Sequence, residues 1–300
     1  MPGRFVVVTN RFAGGGRGAR VLRDACARVG VQPSDAIETA HDDGFAQRLQ
    51  RAVATAERPV TVLCVGGDGT LSMVVNALAS PGDVTLAVVP AGSGNDFALA
   101  LGIRTVAHAL DAVAGPHTLP VDLGTINGRR FVNCVGMGLD GEIARIASEI
   151  RARGLARGLS YYAAALLGLW RVNPVGANIE SAAFTGRMDD LLMLTVGNGP
   201  WYGGGYRGAP KAQLNDSLLD CYAFANLPGG LRRLALMQLI RKGGHLAHPV
   251  VTSLLTRTLD VTFDREIAMH VDGELTSASS AHITLVPRGL LFAVPRAVAM

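Results

Sequence analysis

Three continuous apolar runs, each ending in a glycine-bearing loop, constrain this fold more than any other feature. They are FVVVTN (5–10) leading into NRFAGGGRG (10–18), VTVLCV (60–65) into GGDGT (66–70), and TLAVVP (85–90) into PAGSGND (90–96). None alternates as a strand with one wet face would. Segments 18–29 and 43–57 carry helical patterns between the first two runs. Continuous β-branched strands separated by helices imply a parallel sheet covered on both faces. Ligands of such sheets bind beyond the C-terminal strand ends. The three glycine loops are therefore expected to open at one edge.

The second half reads differently. Segments 119–138, 175–198, 218–226 and 257–294 give repeated short strands, some alternating as in VTFDREIAMHVDGE. Helical stretches interrupt them at about 139–172 and 229–241. The expected fold is α/β plus β. A parallel-sheet α/β nucleotide-binding domain spans residues 1–118, and a mainly antiparallel, β-sandwich-like domain spans 119–300. The boundary is placed between Gly115 and Pro120, and the last ten or so residues are expected to pack back on the first domain. A length of 300 residues suits two domains.

Composition excludes several classes. At 49% hydrophobic and 17% charged, the chain can build a core and is not disordered. The net charge of +4 is almost all arginine, with Lys211 and Lys242 the two lysines. That balance suits an anionic nucleotide or an anionic membrane face. No basic run is interleaved with aromatics, so a nucleic-acid partner is not expected. Cys26, Cys64, Cys134 and Cys221 are far apart, without C-x-x-C, and read as buried thiols of a reducing compartment. The N-terminus runs straight into a strand pattern, so no signal peptide is read. Gly158–Trp170 is too short to span a bilayer. A cytoplasmic protein that touches a membrane peripherally is the expectation.

A single glycine loop reads first as an ordinary turn. No G-x-x-x-x-G-K-[ST] motif exists, and GGGRG is not G-x-G-x-x-G. Three glycine loops at one edge are a different matter, because glycine lets backbone N–H groups approach phosphate oxygens. Thr70 is read as starting and capping a helix, which adds an anion site there. A carboxylate among phosphate binders is repulsive without an intervening cation. Asp68 is therefore read as facing Mg²⁺ on a nucleoside triphosphate.

GGDGT after a strand resembles the diacylglycerol kinase, sphingosine kinase and NAD kinase superfamily. NRFAGGGR (10–17) and PAGSGNDFALALGI (90–103) resemble the corresponding loops of bacterial diacylglycerol kinase-type lipid kinases. So do FVNCVGMGLDGEI (131–143), YGGGYRGAPKAQLNDSLLD (202–220) and VDGE (271–274). The ordered set runs from about residue 5 to 295. The G-S-T-A-Y segment of NAD kinases is absent, as are phosphofructokinase sugar-phosphate motifs.

The resemblance implies an ATP-dependent lipid kinase. It places ATP against Asn10, Arg11, Phe12, Ala13 and Gly14, against Thr39, and against Gly66, Gly67, Asp68, Gly69, Thr70 and Leu71. Ser93 stands where the family has threonine, and Glu274 matches a nucleotide-side residue. Asp96 is either an orienting group or the N-cap of the next helix. The resemblance makes Asp272 the general base, where the residues alone read as a solvated Asp-Gly hairpin turn. It also implies a structural Mg²⁺ held by the Asp216 carboxylate and the carbonyls of Gln213 and Leu218, the alternative being a plain polar turn. Two departures stand out. Arg11 replaces proline and adds a cation near phosphate, and Ser217 replaces a glycine, which strains the turn if it needs positive φ.

Arg145, Arg151, Arg153, Arg157 and Arg171 lie beside YYAAALLGLW (161–170). This pattern suits a bilayer surface, where the lipid substrate would be met, or equally a buried helix with a solvated basic face. His245 and His248 have metal-ligand spacing without a third ligand and are read as structural. A homodimer is carried as one assembly. The acceptor expected is diacylglycerol. Rival readings are another acceptor (sphingoid base, ceramide, polyprenol or NAD) and a non-catalytic nucleotide- or lipid-binding regulator.

Overall fold

The computed structural model describes residues 4–40, 43–152 and 157–298. The chain forms two compact units. One takes Met1–Leu123, Leu214–Asp216 and Val286–Met300, and the other takes Gly124–Gln213 and Ser217–Leu285.

In the first unit, β1 (Phe5–Thr9), β2 (Ile37–Glu38), β3 (Thr61–Gly66), β4 (Thr85–Pro90) and the end of β13 (Glu274–Ala293) form a parallel sheet. Its order is β13-β4-β3-β1-β2. Val6–Val8, Val62–Val65 and Leu86–Val89 are buried throughout, as continuous apolar runs require. The helices are α1 (Ala13–Gly16, a single turn), α2 (Gly18–Val29), α3 (Asp43–Thr55), α4 (Asp68–Ala77), α5 (Asp96–Ala100) and α6 (Val106–Ala114). α2 buries Leu22, Ala25, Cys26 and Val29, one stripe at i, i+3, i+4 and i+7. It ends where Gly30 takes φ 71, a left-handed value that costs glycine nothing.

The second unit contains β5 (Thr118–Ile126, from Gly124 on), β6 (Arg129–Phe131) and β7 (Cys134–Gly138), then α7 (Leu139–Ala152) and α8 (Arg157–Arg171). These are followed by β8 (Val175–Ser181), β9 (Thr185–Gly197), β10 (Leu219–Ala225), α9 (Gly230–Lys242), β11 (Val251–Thr256) and β12 (Thr258–Val271). Their pairings are antiparallel, in the order β11-β10-β9-β7-β12-β13. β8 also pairs with both β9 and β12, beyond the stretch that β7 occupies. Two long strands thus share two short partners in a sandwich-like sheet.

The expectation of repeated short strands is corrected here for three of them. β9, β12 and β13 are 13, 14 and 20 residues long. A register shift between Thr262 and Ile267 bends β12 without breaking it, so no turn residue marks the bend. One core, including Phe131, Met137, Ile179, Leu194 and Leu259, lies within the sheet. Another packs Leu139 and Ile143 of α7 with Leu236 and Ile240 of α9 and Phe224 of β10. Among the described residues no helix is long and apolar enough to cross a membrane.

Candidate functional site

The parallel sheet brings the glycine loops to one edge. Thr9 is in register with Glu38 on one side and Val65 on the other, and Gly66 is in register with Pro90. Asn10–Gly14, Thr39, Gly66–Leu71 and the segment holding Ser93 and Asp96 all leave from these strand ends.

Asn10 closes its own loop. Its N–H donates to the Val65 carbonyl (3.1 Å), its Oδ1 accepts the Phe12 N–H (3.1 Å), and its carbonyl accepts the Ala13 N–H (3.0 Å). Gly14, Gly15 and Gly16 hold φ 60, 72 and 94. A Cβ on Gly14 would also lie 2.2 Å from the Ala91 carbonyl oxygen. Arg17 ties this loop to the third one, donating to the carbonyls of Gly14 (3.1 Å) and Gly92 (3.3 Å). Arg11 turns to Glu38, 3.1 Å away. The cation expected beside phosphate is thus paired with a carboxylate. Phe12 is 83% exposed, and Ser93 and Gly69 are exposed. Leu71 is buried, so its side chain serves the core. The Thr39 N–H donates to the Thr9 carbonyl (2.8 Å).

The structure corrects the reading of Thr70. It is the third residue of α4 and buried, while Gly67 is the N-cap. Gly67 supplies the extended backbone a cap requires, at φ −112 and ψ −167. Thr70 instead packs against Gly66, where a Cβ would meet its Oγ1 at 2.2 Å. Asp68 accepts the N–H of Asp96 at Oδ2 (3.2 Å) and of Phe97 at Oδ1 (3.0 Å). It therefore caps α5 from another loop, a favourable place for a negative charge. The N-cap alternative for Asp96 is corrected too. Asp96 is the buried first residue of α5, and Asn95 holds the cap position at φ 60.

Asp272 belongs to the second unit. Asp272 and Gly273 join β12 to β13 with φ 49 and 83, the signs of a type I′ hairpin. The turn reading is right in backbone, but the side chain is not solvated. It is 8% exposed, and its Oδ2 accepts the N–H of Val132 (2.8 Å). Its Oδ1 accepts those of Asn133 (3.0 Å) and Cys134 (2.9 Å). Such donors fix the carboxylate's direction. The holding segment is itself gripped. The Asn133 carbonyl accepts the N–H groups of Asn198 (2.8 Å) and Gly199 (3.0 Å). Asn133 Nδ2 donates to the Trp201 carbonyl (2.7 Å), and Asn198 Nδ2 donates to the Val132 carbonyl (2.8 Å). Glu274 forms an ion pair with Arg129.

Asp140, His270, Tyr202 and Thr195 form a buried polar cluster in the same unit. Asp140 Oδ2 accepts the hydroxyls of Tyr202 (2.8 Å) and Thr195 (3.2 Å). Burial pushes the Asp140 carboxyl up and the His270 imidazole down, while attraction between the two opposes both shifts.

The loop expected to hold a metal keeps a tight turn. Ser217 has φ 64, as feared for a serine in a glycine place, and its carbonyl accepts from Arg257 Nε (3.1 Å). Asp216 and Gln213 are exposed and Leu218 is half-buried. Among the described residues no three His, Cys, Asp or Glu side chains cluster. The donors that the resemblance names, one carboxylate and two main-chain carbonyls, are all oxygen, a set that suits Mg²⁺. His245 is buried beside the rings of Tyr222 (5.5 Å) and Phe224 (5.6 Å), and burial lowers its pKa to about 4. Arg145 pairs with Glu142 and Glu149. Leu166, Leu167 and Trp170 are exposed on α8. Arg153 and the side chains of Arg151, Arg157, Tyr161 and Tyr162 lie outside the described residues.

Residues 4–126 match the diacylglycerol kinase catalytic domain, and residues 133–294 match the YegS C-terminal NAD kinase beta sandwich-like domain. A diacylglycerol kinase of Mycobacterium tuberculosis is 30% identical over 302 residues, covering 98% of this chain and 96% of its own. The "Probable lipid kinase YegS-like" protein of Stenotrophomonas maltophilia is 30% identical, covering 89% of each.

The chain belongs to the diacylglycerol kinase/YegS family of lipid kinases.

A crystal structure of a diacylglycerol kinase from Bacillus anthracis shares the fold, with a TM-score of 0.69 at 20% identity over 99% of this chain and 98% of that one. As a lipid kinase of this family, the protein is an enzyme, and its family implies ATP as phosphoryl donor. Several residues of this kinase's site escaped the sequence reading. Arg17 ties the first glycine loop to the third, and Asn95 closes the third on itself by accepting from the Gly92 N–H and donating to the Gly92 carbonyl. Asn133 lies inside FVNCVGMGLDGEI and Trp201 directly precedes YGGGYRG, but only the fold places them beside the Asp272 turn.

Proposed function

We propose that this kinase transfers the γ-phosphoryl group of ATP to the hydroxyl of diacylglycerol, with Mg²⁺ as the accompanying cation. The observation that carries the reading is the Asp272 carboxylate, buried yet aimed by three backbone N–H groups. An aimed carboxylate accepts the hydrogen of an acceptor hydroxyl. It takes that proton as the new O–P bond forms and the bond to the ADP oxygen breaks. The strand-end loops at Asn10–Gly14, Gly66–Leu71 and Ser93 supply backbone N–H groups for the nucleotide phosphates. When bound, Mg²⁺ supplies charge neutralisation, and Asp216 with the carbonyls of Gln213 and Leu218 would hold a structural ion.

The name of the Mycobacterium tuberculosis relative supports diacylglycerol, whereas the YegS-like relatives leave the lipid broader. Exposed Leu166, Leu167 and Trp170 on α8 support reaching that lipid at a membrane surface. The test is transfer of labelled phosphate from ATP to a panel of diacylglycerol, ceramide, sphingosine, polyprenol and NAD. Diacylglycerol is expected to be labelled fastest, and labelling of another member alone would refute the acceptor. Asp272→Asn is expected to lose at least about a hundredfold in kcat with ATP affinity unchanged. Full activity in that variant removes Asp272 from the chemistry.

A further inference from the structure

One arginine of the second unit has the marks of a ligand-binding group. Arg207 follows a loop whose ends, Tyr202 and Tyr206, exchange two backbone hydrogen bonds of 2.9 Å. The tip, Gly203–Gly205, has φ 63, 81 and 103. The Arg207 guanidinium lies 5.0 Å from the centroid of the Trp201 ring. Among the described residues its buried Nε has no hydrogen-bond partner and no carboxylate pairs with it. Arg233, a structural arginine of the same unit, is the contrast. Its guanidinium donates to the carbonyls of Leu227, Leu169 and Val172 and to Asn226 Oδ1.

The unsatisfied donor is linked through Trp201 to the segment that holds Asp272. Asn133 donates its N–H to Asp272 Oδ1 and its side-chain amide to the Trp201 carbonyl, and Trp201 carries Arg207. Asn133 Oδ1 is a second buried polar atom without a partner. A donor cation and an acceptor thus stand unsatisfied around Trp201, and the residue that carries the acceptor also holds the Asp272 carboxylate. A phosphate oxygen brought beside Asp272 would be repelled unless a cation faced it. A guanidinium held over an indole has less freedom to lose when it takes a phosphate's paired oxygens.

We propose that Asn133, Trp201 and Arg207 form a subsite for an alcohol phosphomonoester, with Arg207 binding the phosphoryl group on the acceptor side. The proposal rests on the lipid kinase reading and adds the group that retains the phosphorylated product. Asn133 Oδ1 takes a hydrogen from a hydroxyl of that ligand.

The chain has two tryptophans, so Trp170→Phe leaves Trp201 as the sole indole reporter. In that background, dihexanoyl phosphatidic acid, dihexanoylglycerol, inorganic phosphate and ATP with Mg²⁺ are titrated separately. The phosphomonoester is expected to change Trp201 fluorescence. Arg207→Ala should weaken its binding by about ten- to a hundredfold, with Arg207→Lys in between. Affinities for the neutral alcohol and for ATP should be unchanged. Unaltered phosphomonoester affinity in Arg207→Ala overturns the subsite, and so does an equal loss for all ligands, which marks a structural role. Binding of inorganic phosphate as tight as that of the lipid phosphomonoester also overturns it. Failure of the kinase reading shows separately, as no transfer of phosphate from ATP to any lipid alcohol by the unaltered protein.

Discussion

Asn95, Asn127, Ser217, Asp272 and Arg288 hold positive φ without being glycine. Asparagine visits this region readily; serine does not. Ser217→Gly should therefore stabilise the protein by about 1 kcal/mol, read as a higher thermal midpoint; an unchanged or lower midpoint would show the turn to be unstrained. Asp272 is the more consequential case, because strain at a functional residue persists only when its surroundings fix it. Here Val132, Asn133 and Cys134 do so with three hydrogen bonds. An acid before glycine was visible in VDGE. Its burial was not, since the groups that hold it lie 138 to 140 positions away.

Elements followed the sequence where periodicity was long and unbroken. α2 occupies residues 18–29 as read, because its apolar stripe ends at a left-handed glycine. The start of α4 was misread at Thr70, because a glycine cap carries no side-chain signal and Thr70 was needed against Gly66. α5 shows how two loops become one edge. Five residues do not make a stable helix alone, and both oxygens of Asp68 satisfy its first N–H groups. Asp68→Ala should cost about 1–2 kcal/mol and speed amide exchange at Asp96 and Phe97, with Asp68→Asn intermediate. Unchanged exchange there would place the role of Asp68 entirely with the nucleotide. The length of β12 was not legible because its register shift bends the strand with neither a proline nor a glycine to mark it.

Neither unit is one continuous piece of chain. The first recruits residues 214–216 and 286–300, and no local pattern announces the short internal segment. Folding of the second unit also sets a response to acid. His245 is fully buried, with a pKa lowered from 6.5 to about 4. The unfolded chain binds its proton more readily, so stability is intact above pH 6.5 and falls as pH drops from there toward 4. The slope is about 1.4 kcal/mol per pH unit in that window. Urea unfolding at pH 7 and pH 5 should show a loss of about 2 kcal/mol that His245→Leu removes. Equal losses in both proteins would assign the acid response elsewhere.

By itself the sequence determined the strand runs, the glycine loops at their ends and the ordered motifs of a lipid kinase. Each of these is written in neighbouring residues through side-chain period and backbone freedom. Only the tertiary structure decided what the acids do. Asp68 caps a helix in another loop, Asp272 is held by the remote segment Val132–Cys134, and Glu274 pairs with Arg129, while Arg207 lies over Trp201. A buried charge is governed by the donors and charges around it, and those partners come from positions that are remote in sequence.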